Sequence, residues 1–214
     1  MRLFTALLPP ADVLDGAGQL ADKVAELRSR DRAGELRWID RANWHVTLAF
    51  YGEVEDGQLD GLRERLSRAA RRGSPLRLRI SGGGHFGGRS LWAAVVGAPS
   101  GQDFGSDAAP AGADPSGVRP DGEALRCLAA ATAAAGRRVG LGPDEPRRFR
   151  AHVTLARARS PRFDLRPYTE ALGAFVGEPW TAGELALVRS NLPESGVEGE
   201  QPRYEQIAAW PLGG

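Results

Sequence analysis

Trp44-His45-Val46-Thr47-Leu48-Ala49-Phe50 and, much later, Ala151-His152-Val153-Thr154-Leu155-Ala156-Arg157 decide how this chain is read. Both carry His-Val-Thr-Leu-Ala. Successive side chains of an extended strand alternate between faces, so His45 and Thr47 share one face while Val46 and Leu48 share the other. His152 with Thr154, and Val153 with Leu155, repeat the arrangement. Each strand therefore buries an apolar edge and presents an imidazole beside a hydroxyl. A single histidine on a strand is more often structural than catalytic, but here there is a pair. The chain has 3 histidines and 6 threonines in 214 residues. Two of the histidines having threonine two places on would arise by accident in roughly 0.2% of such sequences.

At 214 residues the chain is long enough to bury one large core or two closely packed lobes. Its 42% hydrophobic and 26% charged content is that of a globular protein in water. A net charge of +1 offers no global attraction to polyanions, so nucleic-acid contact requires a local basic patch. The apolar opening, Arg2 to Leu8, breaks at Pro9 and Pro10 after a run too short for a signal peptide and reads as a strand. No run approaches the length of a membrane span. The single cysteine, Cys127, has no partner for a disulfide or a metal site, so a reducing cytoplasm is the expected location. Lys23 is the only lysine and lies in an amphipathic, solvent-facing pattern, which disfavours a lysyl-nucleotide intermediate. No glycine-rich run ends in Gly-Lys-Ser or Gly-Lys-Thr.

Helical spacing of Val13, Ala17, Leu20, Val24 and Leu27, with prolines just before, predicts a helix after the first strand. The stretch from Glu35 to Asn43 leads into the first motif strand, which ends at Gly52. Leu59, Leu62, Leu66 and Ala69 mark a second helix. Leu76 to Ile80 and Leu91 to Val96 read as strands joined by a glycine-rich turn from Gly82 to Gly88. From Ala98 to Gly122 the composition is Gly, Ala, Pro, Ser and Asp with almost no large apolar residue, which predicts a mobile insertion loop. Leu125, Leu128, Thr132 and Ala135 resume a helix, with Asp121 near its start. After the second motif come a helix near Tyr168, Leu172 and Phe175, a strand from Glu184 to Ser190 and a last strand from Tyr204 to Trp210. Each half thus runs helix, motif strand, helix, strand, loop, strand, which reads as an internal duplication. The expected fold is α+β, a single domain over residues 1–214. It comprises two pseudo-symmetric lobes, each an antiparallel sheet flanked by helices, with both histidines facing the cleft between them.

Two facing imidazoles can divide proton transfer, one accepting from a nucleophile while the other donates to a leaving group, because an ordinary pKa of roughly 6.5 lets both forms coexist. That division suits phosphoryl transfer. A serine or cysteine nucleophile lacks its strand-to-helix elbow, and Cys127 on an alanine-rich helix reads as core. His45, His85 and His152 come without a cysteine pair or a His-Glu-X-X-His helix, so no metal is assigned. His85, in the glycine-rich stretch with no following threonine, is given no catalytic role. Arg147, Arg148 and Arg150 precede the second motif and Arg157, Arg159 and Arg162 follow it. Arg147, Arg148, Arg159 and Arg162 read as a solvated charge run. Arg157 could serve as a planar cationic fork, but five residues after His152 it falls on the opposite face of a regular strand. It reaches the site only if the strand ends or bulges.

These residues resemble the two-histidine phosphoesterases, and most closely the bacterial and archaeal RNA 2′,3′-cyclic phosphodiesterases once named 2′-5′ RNA ligases. The resemblance runs through Arg2 to Leu7, Arg37-Trp38-Ile39 to Gly52, Gly84-His85-Phe86, Leu91-Trp92-Ala93, His152 to Arg157, and the ending from Leu187 through Tyr204 to Leu212. It implies hydrolysis of an RNA 2′,3′-cyclic phosphate to a 2′-phosphate, with His45 as general acid and His152 as general base. Thr47, Thr154 and Arg157 would bind the phosphate. No metal, no nucleotide cofactor, no membrane and no obligate protein partner is implied. Phe50, Phe86 and Tyr204 are candidates to stack a nucleobase. Tyr51 departs from the usual Leu, Gly87 from the usual Pro, and the Ala98 to Gly122 insertion is long, so base and RNA-length preference do not carry over. Two other readings share the site. One is a ligase that uses an RNA 5′-hydroxyl instead of water, and the other is a non-catalytic binder of RNA ends.

Overall fold

The computed structural model describes residues 1–98, 121–142, 148–193 and 200–214. The apolar opening run is strand β1 (Arg2–Leu7), followed by helices α1 (Ala11–Asp15) and α2 (Leu20–Arg30) and a short strand β2 (Leu36–Trp38). The first motif enters β3 (Val46–Glu53) through a 3-10 turn at Arg41–Asn43. Helix α3 (Asp56–Arg71) then leads to a long hairpin of β4 (Leu76–Phe86) and β5 (Ser90–Gly97). After α4 (Asp121–Arg137) the second motif forms β6 (His152–Ala158). Helix α5 (Arg166–Gly173), strand β7 (Trp180–Ala182) and the pair β8 (Glu184–Asn191) and β9 (Arg203–Pro211) complete the chain.

Three local expectations are corrected. The helix expected through Val13 and Leu27 is two helices, because Gly16 leaves helical conformation and Gly18 takes φ +76°. The glycine run is not a turn: residues 82–86 continue β4, and only Gly87, Gly88 and Arg89 turn the hairpin. Glycine is required there by packing on both sides. A Cβ on Gly83 would stand 2.8 Å from Leu172 Cδ1, and one on Gly84 would stand 2.5 Å from the Trp92 ring. Cys127 is exposed on α4, so the alanine-rich face it shares is not the buried one. The short strands β2 and β7 were not foreseen, since three residues carry too little alternation to register. Residues 99–120 of the expected insertion lie outside the described residues, while Asp121 and Gly122 already belong to α4.

The described strands form one antiparallel sheet in the order β7-β4-β5-β6-β3-β1-β8-β9, with β2 also paired to β6. Between β6 and β3 a single pair, Val153 opposite Val46, makes the join. The sheet therefore behaves as two half-sheets meeting at the motif strands. Each motif strand has crossed over: β6 pairs with β5 of the first hairpin, and β3 connects through β1 to the β8-β9 hairpin. Helices pack on one side, with α4 against β3, β4 and β5, α5 against β4, and α3 against α4 and β9. Leu3, Leu7, Leu20, Leu27, Leu62, Leu66, Leu125 and Leu155 are fully buried there. On the opposite side Phe4, Ala6, Ala186 and Val188 make a smaller apolar patch. Strand β1 is buried on both faces, which is why its sequence shows no alternation. Among the described residues no helix is long and apolar enough to cross a membrane.

Tyr51 is buried against α4, where its ring fills the space a side chain at Gly136 would take. Its hydroxyl donates to the Thr132 carbonyl at 3.1 Å and lies 3.2 Å from Thr5 Oγ1. Tyr51→Phe removes both contacts and is expected to lower unfolding free energy by about 1 kcal/mol, measured as a fall in the urea midpoint at unchanged slope.

Candidate active site

Both motif strands carry the same bulge. In β3, Ala6 faces Thr47 and Thr5 faces Ala49, so Leu48 is the extra residue. In β6, Trp92 faces Thr154 and Leu91 faces Ala156, so Leu155 is extra. Burial repeats this: Leu48 and Ala49, like Leu155 and Ala156, are buried in succession. One added residue restores the face two positions later. Ala94, Trp92 and Ser90 alternate regularly and lie opposite His152, Thr154 and Arg157, which places Arg157 on the face of the histidine. The same shift in β3 puts Phe50 on the face of His45 and Thr47, opposite Phe4.

His45 Nδ1 lies 2.7 Å from the Asn43 carbonyl, and His152 Nδ1 lies 2.7 Å from the Arg150 carbonyl. A carbonyl only accepts, so each Nδ1 carries its proton and donates, which leaves Nε2 as the working nitrogen of both rings. Asn43 is held in turn, its N–H donating to the Asp40 carbonyl and its side-chain amide to the Pro202 carbonyl. His45 Nε2 lies 3.0 Å from Thr47 Oγ1. Thr154 holds the matching register position without a corresponding bond to its histidine. Aromatic walls fix both rings. Phe4 and the edge of Tyr204 stand 4.8 and 5.1 Å from His45, and Phe86 and Trp92 stand 4.9 and 6.0 Å from His152.

Burial lowers the pKa of both histidines, partly offset by the backbone bonds, and each is lowered further by a neighbouring charge. For His45 that charge is His152, so the two imidazoles sense each other across the cleft. For His152 it is Arg150, whose guanidinium lies 5.3 Å over the Trp92 ring. Burial raises the Tyr204 hydroxyl pKa, and the positive charges of Arg157 and Arg2 partly offset it. A cavity of about 160 Å³ opens beside His45, lined in part by Phe4, Asn43, Val188, Tyr204 and Gln206.

Phe50, Phe86 and Tyr204 are exposed by 42%, 40% and 36%. Phe86 and Tyr204 flank the two histidines, while Phe50 carries the Arg2 guanidinium 4.9 Å above its ring. His85 sits opposite Leu91, on the face away from the cleft, and accepts from the Gly88 N–H at 3.2 Å. Arg148, Arg159 and Arg162 are exposed, and Arg147 lies outside the described residues. Among the described residues no group of three or more His, Cys, Asp or Glu is placed to hold a metal ion. Sequence reasoning did not assign the residues that hold the imidazoles: the Asn43 and Arg150 carbonyls, Phe4 and Trp92. The bulge had a signal, since Leu-Ala places two apolar residues in succession and breaks the alternation in each motif.

Residues 11–92, which contain the first motif but not the second, match the family model described as LigT like Phosphoesterase. An RNA 2′,3′-cyclic phosphodiesterase of Geobacillus stearothermophilus is 27% identical over 181 residues, 82% of this chain and 47% of that protein. The chain thus spans about half the length of that relative. One from Thermus thermophilus is 27% identical over 199 residues, 92% of this chain and 85% of that protein. The crystal structure of E. coli LigT complexed with 3′-AMP superposes with a TM-score of 0.66 at 21% identity, covering 99% of this chain and 97% of that one.

Proposed function

We propose that this chain, which is similar to the LigT-like phosphoesterases, hydrolyses the 2′,3′-cyclic phosphate at the end of an RNA to a 2′-phosphate, as a single two-lobed domain acting in the cytoplasm. The carrying observation is the pair of imidazoles, each with Nδ1 committed to a backbone carbonyl and Nε2 left for the reaction, on motif strands that meet at Val46 and Val153. Water attacks phosphorus as His152 Nε2 takes its proton, and the bond from phosphorus to O3′ breaks as His45 Nε2 protonates the leaving oxygen. Thr47, Thr154 and Arg157 hold the non-bridging oxygens and meet the charge that builds on them. The step needs no metal or nucleotide cofactor. The terminal nucleoside lies toward the cavity beside His45, where Tyr204 offers an aromatic face; Phe86 and Phe50 are further stacking candidates.

The active form has one protonated and one neutral imidazole. Both pKa values are lowered from the ordinary 6.5, so in the free enzyme that form peaks below about pH 6.5. As pH rises His45 loses the proton it must donate, and as pH falls further His152 gains one it must accept. The bell of kcat/KM against pH is expected to peak on the acid side of 6.5. A maximum above pH 7.5 contradicts these assignments.

The test is incubation with chelator and an RNA ending in a 2′,3′-cyclic phosphate, with and without a strand bearing a 5′-hydroxyl. Opening to a monoester in both samples supports hydrolysis. A joined strand as the main product identifies the ligase reading, and tight binding without turnover identifies a non-catalytic binder of RNA ends.

A further inference from the structure

The two motif histidines are anchored alike, but their anchors are held differently. His152 takes its Nδ1 acceptor from Arg150, in the stretch that leads straight into β6 and is tied to β5 by the Val95 N–H on the Ala151 carbonyl. His45 takes its acceptor from Asn43, the last residue of a three-residue 3-10 turn with no side-chain cap at its start. So short a turn, with the poorer hydrogen bonds of 3-10 geometry, does little to fix a carbonyl by itself. Up to Ile39 the backbone is tied to β6 through the Leu155 carbonyl. From Asp40 the ties run to the far end of the chain instead. Gln201 Oε1 accepts the Asp40 N–H at 2.9 Å, and its Nε2 donates to the Trp38 carbonyl at 2.9 Å, so one amide clips the end of β2 to the start of the turn. The next residue, Pro202, offers its carbonyl to Asn43 Nδ2 at 3.2 Å. Two residues further on, Tyr204 sets its edge against the His45 ring. Arg41 in the turn also reaches the Asp15 carboxylate, an exposed pair of a kind that contributes little.

We infer that Gln201 is a positioning residue for the general acid: by clipping the turn over residues 40–43 it fixes the Asn43 carbonyl, and through that carbonyl the direction in which His45 Nε2 points. This rests on the reading of His45 as the acid and adds to it a residue that acts only through another. The clip needs one donor and one acceptor on the same planar group, which glutamine supplies and leucine of similar volume does not. With the Asn43 carbonyl loosened, the ring is free to turn about χ2 and Nε2 no longer meets the leaving oxygen in line. The same task on His152 falls to the main chain leading into β6. Loss of Gln201 therefore acts on one histidine and leaves the other as an internal reference.

The experiment compares Gln201→Leu, Asn43→Ala and the double variant with the wild type on an RNA ending in a 2′,3′-cyclic phosphate. Gln201→Leu is expected to lower kcat about 10-fold, part of the roughly 10²-fold that a misplacement of about 1 Å costs, with KM little changed. Asn43→Ala keeps the carbonyl but loses the Pro202 tie, so its loss is of the same kind and the double variant falls short of the product. The Asn43 bond raises the His45 pKa, so loosening it moves the basic limb of kcat/KM to lower pH while the acid limb, set by His152, stays. The other titratable groups around His45 are His152 and Tyr204, β1 meets it with the neutral Phe4, and Gln201→Leu changes the charge of none of them. Imidazole nitrogen NMR gives a readout free of turnover: in Gln201→Leu, His45 loses its preference for the proton on Nδ1 and His152 keeps its own. An unchanged kcat and His45 spectrum overturn the clip and leave the phosphodiesterase reading standing. Equal disturbance of both histidines also overturns it, since that marks a general loosening of the fold. A wild type that opens no cyclic phosphate overturns the reading of His45 as the acid as well.

Discussion

His152→Ala is expected to lower kcat on a 2′,3′-cyclic phosphate RNA by about 10²–10⁴-fold, the range for loss of a positioned general acid or base. His45→Ala should do the same. The expectation follows from what each ring can do where it stands. Its Nδ1 is held by a backbone carbonyl two residues earlier, so replacing it by alanine removes the working Nε2 together with that one anchoring bond and the packing around the ring. The substrate anion is still met by the hydroxyls and the guanidinium, so KM should change far less than kcat. If both imidazoles act in one step, the double variant should fall well short of the product of the single effects. Packing losses are separable, since His152 meets Phe86 and Trp92 near the cleft surface and His45 meets Phe4 and Tyr204. Thermal unfolding of each variant should shift little against so large a kinetic loss. Full activity in His152→Ala would remove the general base from the account.

Arg157→Gln carries the second large effect, a loss of about 10²–10³-fold in kcat, the size seen when a donor to developing transition-state charge is removed. Its reach to the phosphate depends on the Leu155 bulge, which turns it onto the face of His152 and Thr154. Arg157→Lys should recover only part of the activity, because an ammonium does not reproduce the planar two-donor fork. If Arg157→Gln raised KM with kcat intact, the guanidinium would be binding ground state and transition state alike, and its catalytic role would be lost. Phe50 occupies the same position after the first bulge. The two motif strands thus differ where one supplies a cation and the other an aromatic ring on which Arg2 rests.

The paired motifs were legible because their chemistry is local: imidazole, hydroxyl and apolar residues alternate within five positions. The α+β class followed from strands and helices whose periods were plain, such as Leu59 to Ala69. What the sequence hid depends on distant partners. Gly83 and Gly84 look like a turn until Leu172 and Trp92 are known to press on them from opposite faces. Arg37 and Arg2 look like ordinary strand-end charges until the register sets one beside Arg157 and lays the other on Phe50. Strand β1 reads as an apolar run because one face meets the main core and the other the Phe4 and Val188 patch. The crossing of each motif strand to the opposite hairpin has no local signature at all, since it is a property of the pairing order.

The position of the phosphate in the product tests the division of labour between the histidines most directly. An RNA with a 2′,3′-cyclic end is digested with chelator present, and the product phosphorus is assigned by phosphorus NMR to the 2′ or the 3′ oxygen. A 2′-phosphate, formed by the wild type and abolished in both His45→Ala and His152→Ala, is the predicted result. A 3′-phosphate would mean that O2′ leaves, contradicting the placement of His45 beside O3′.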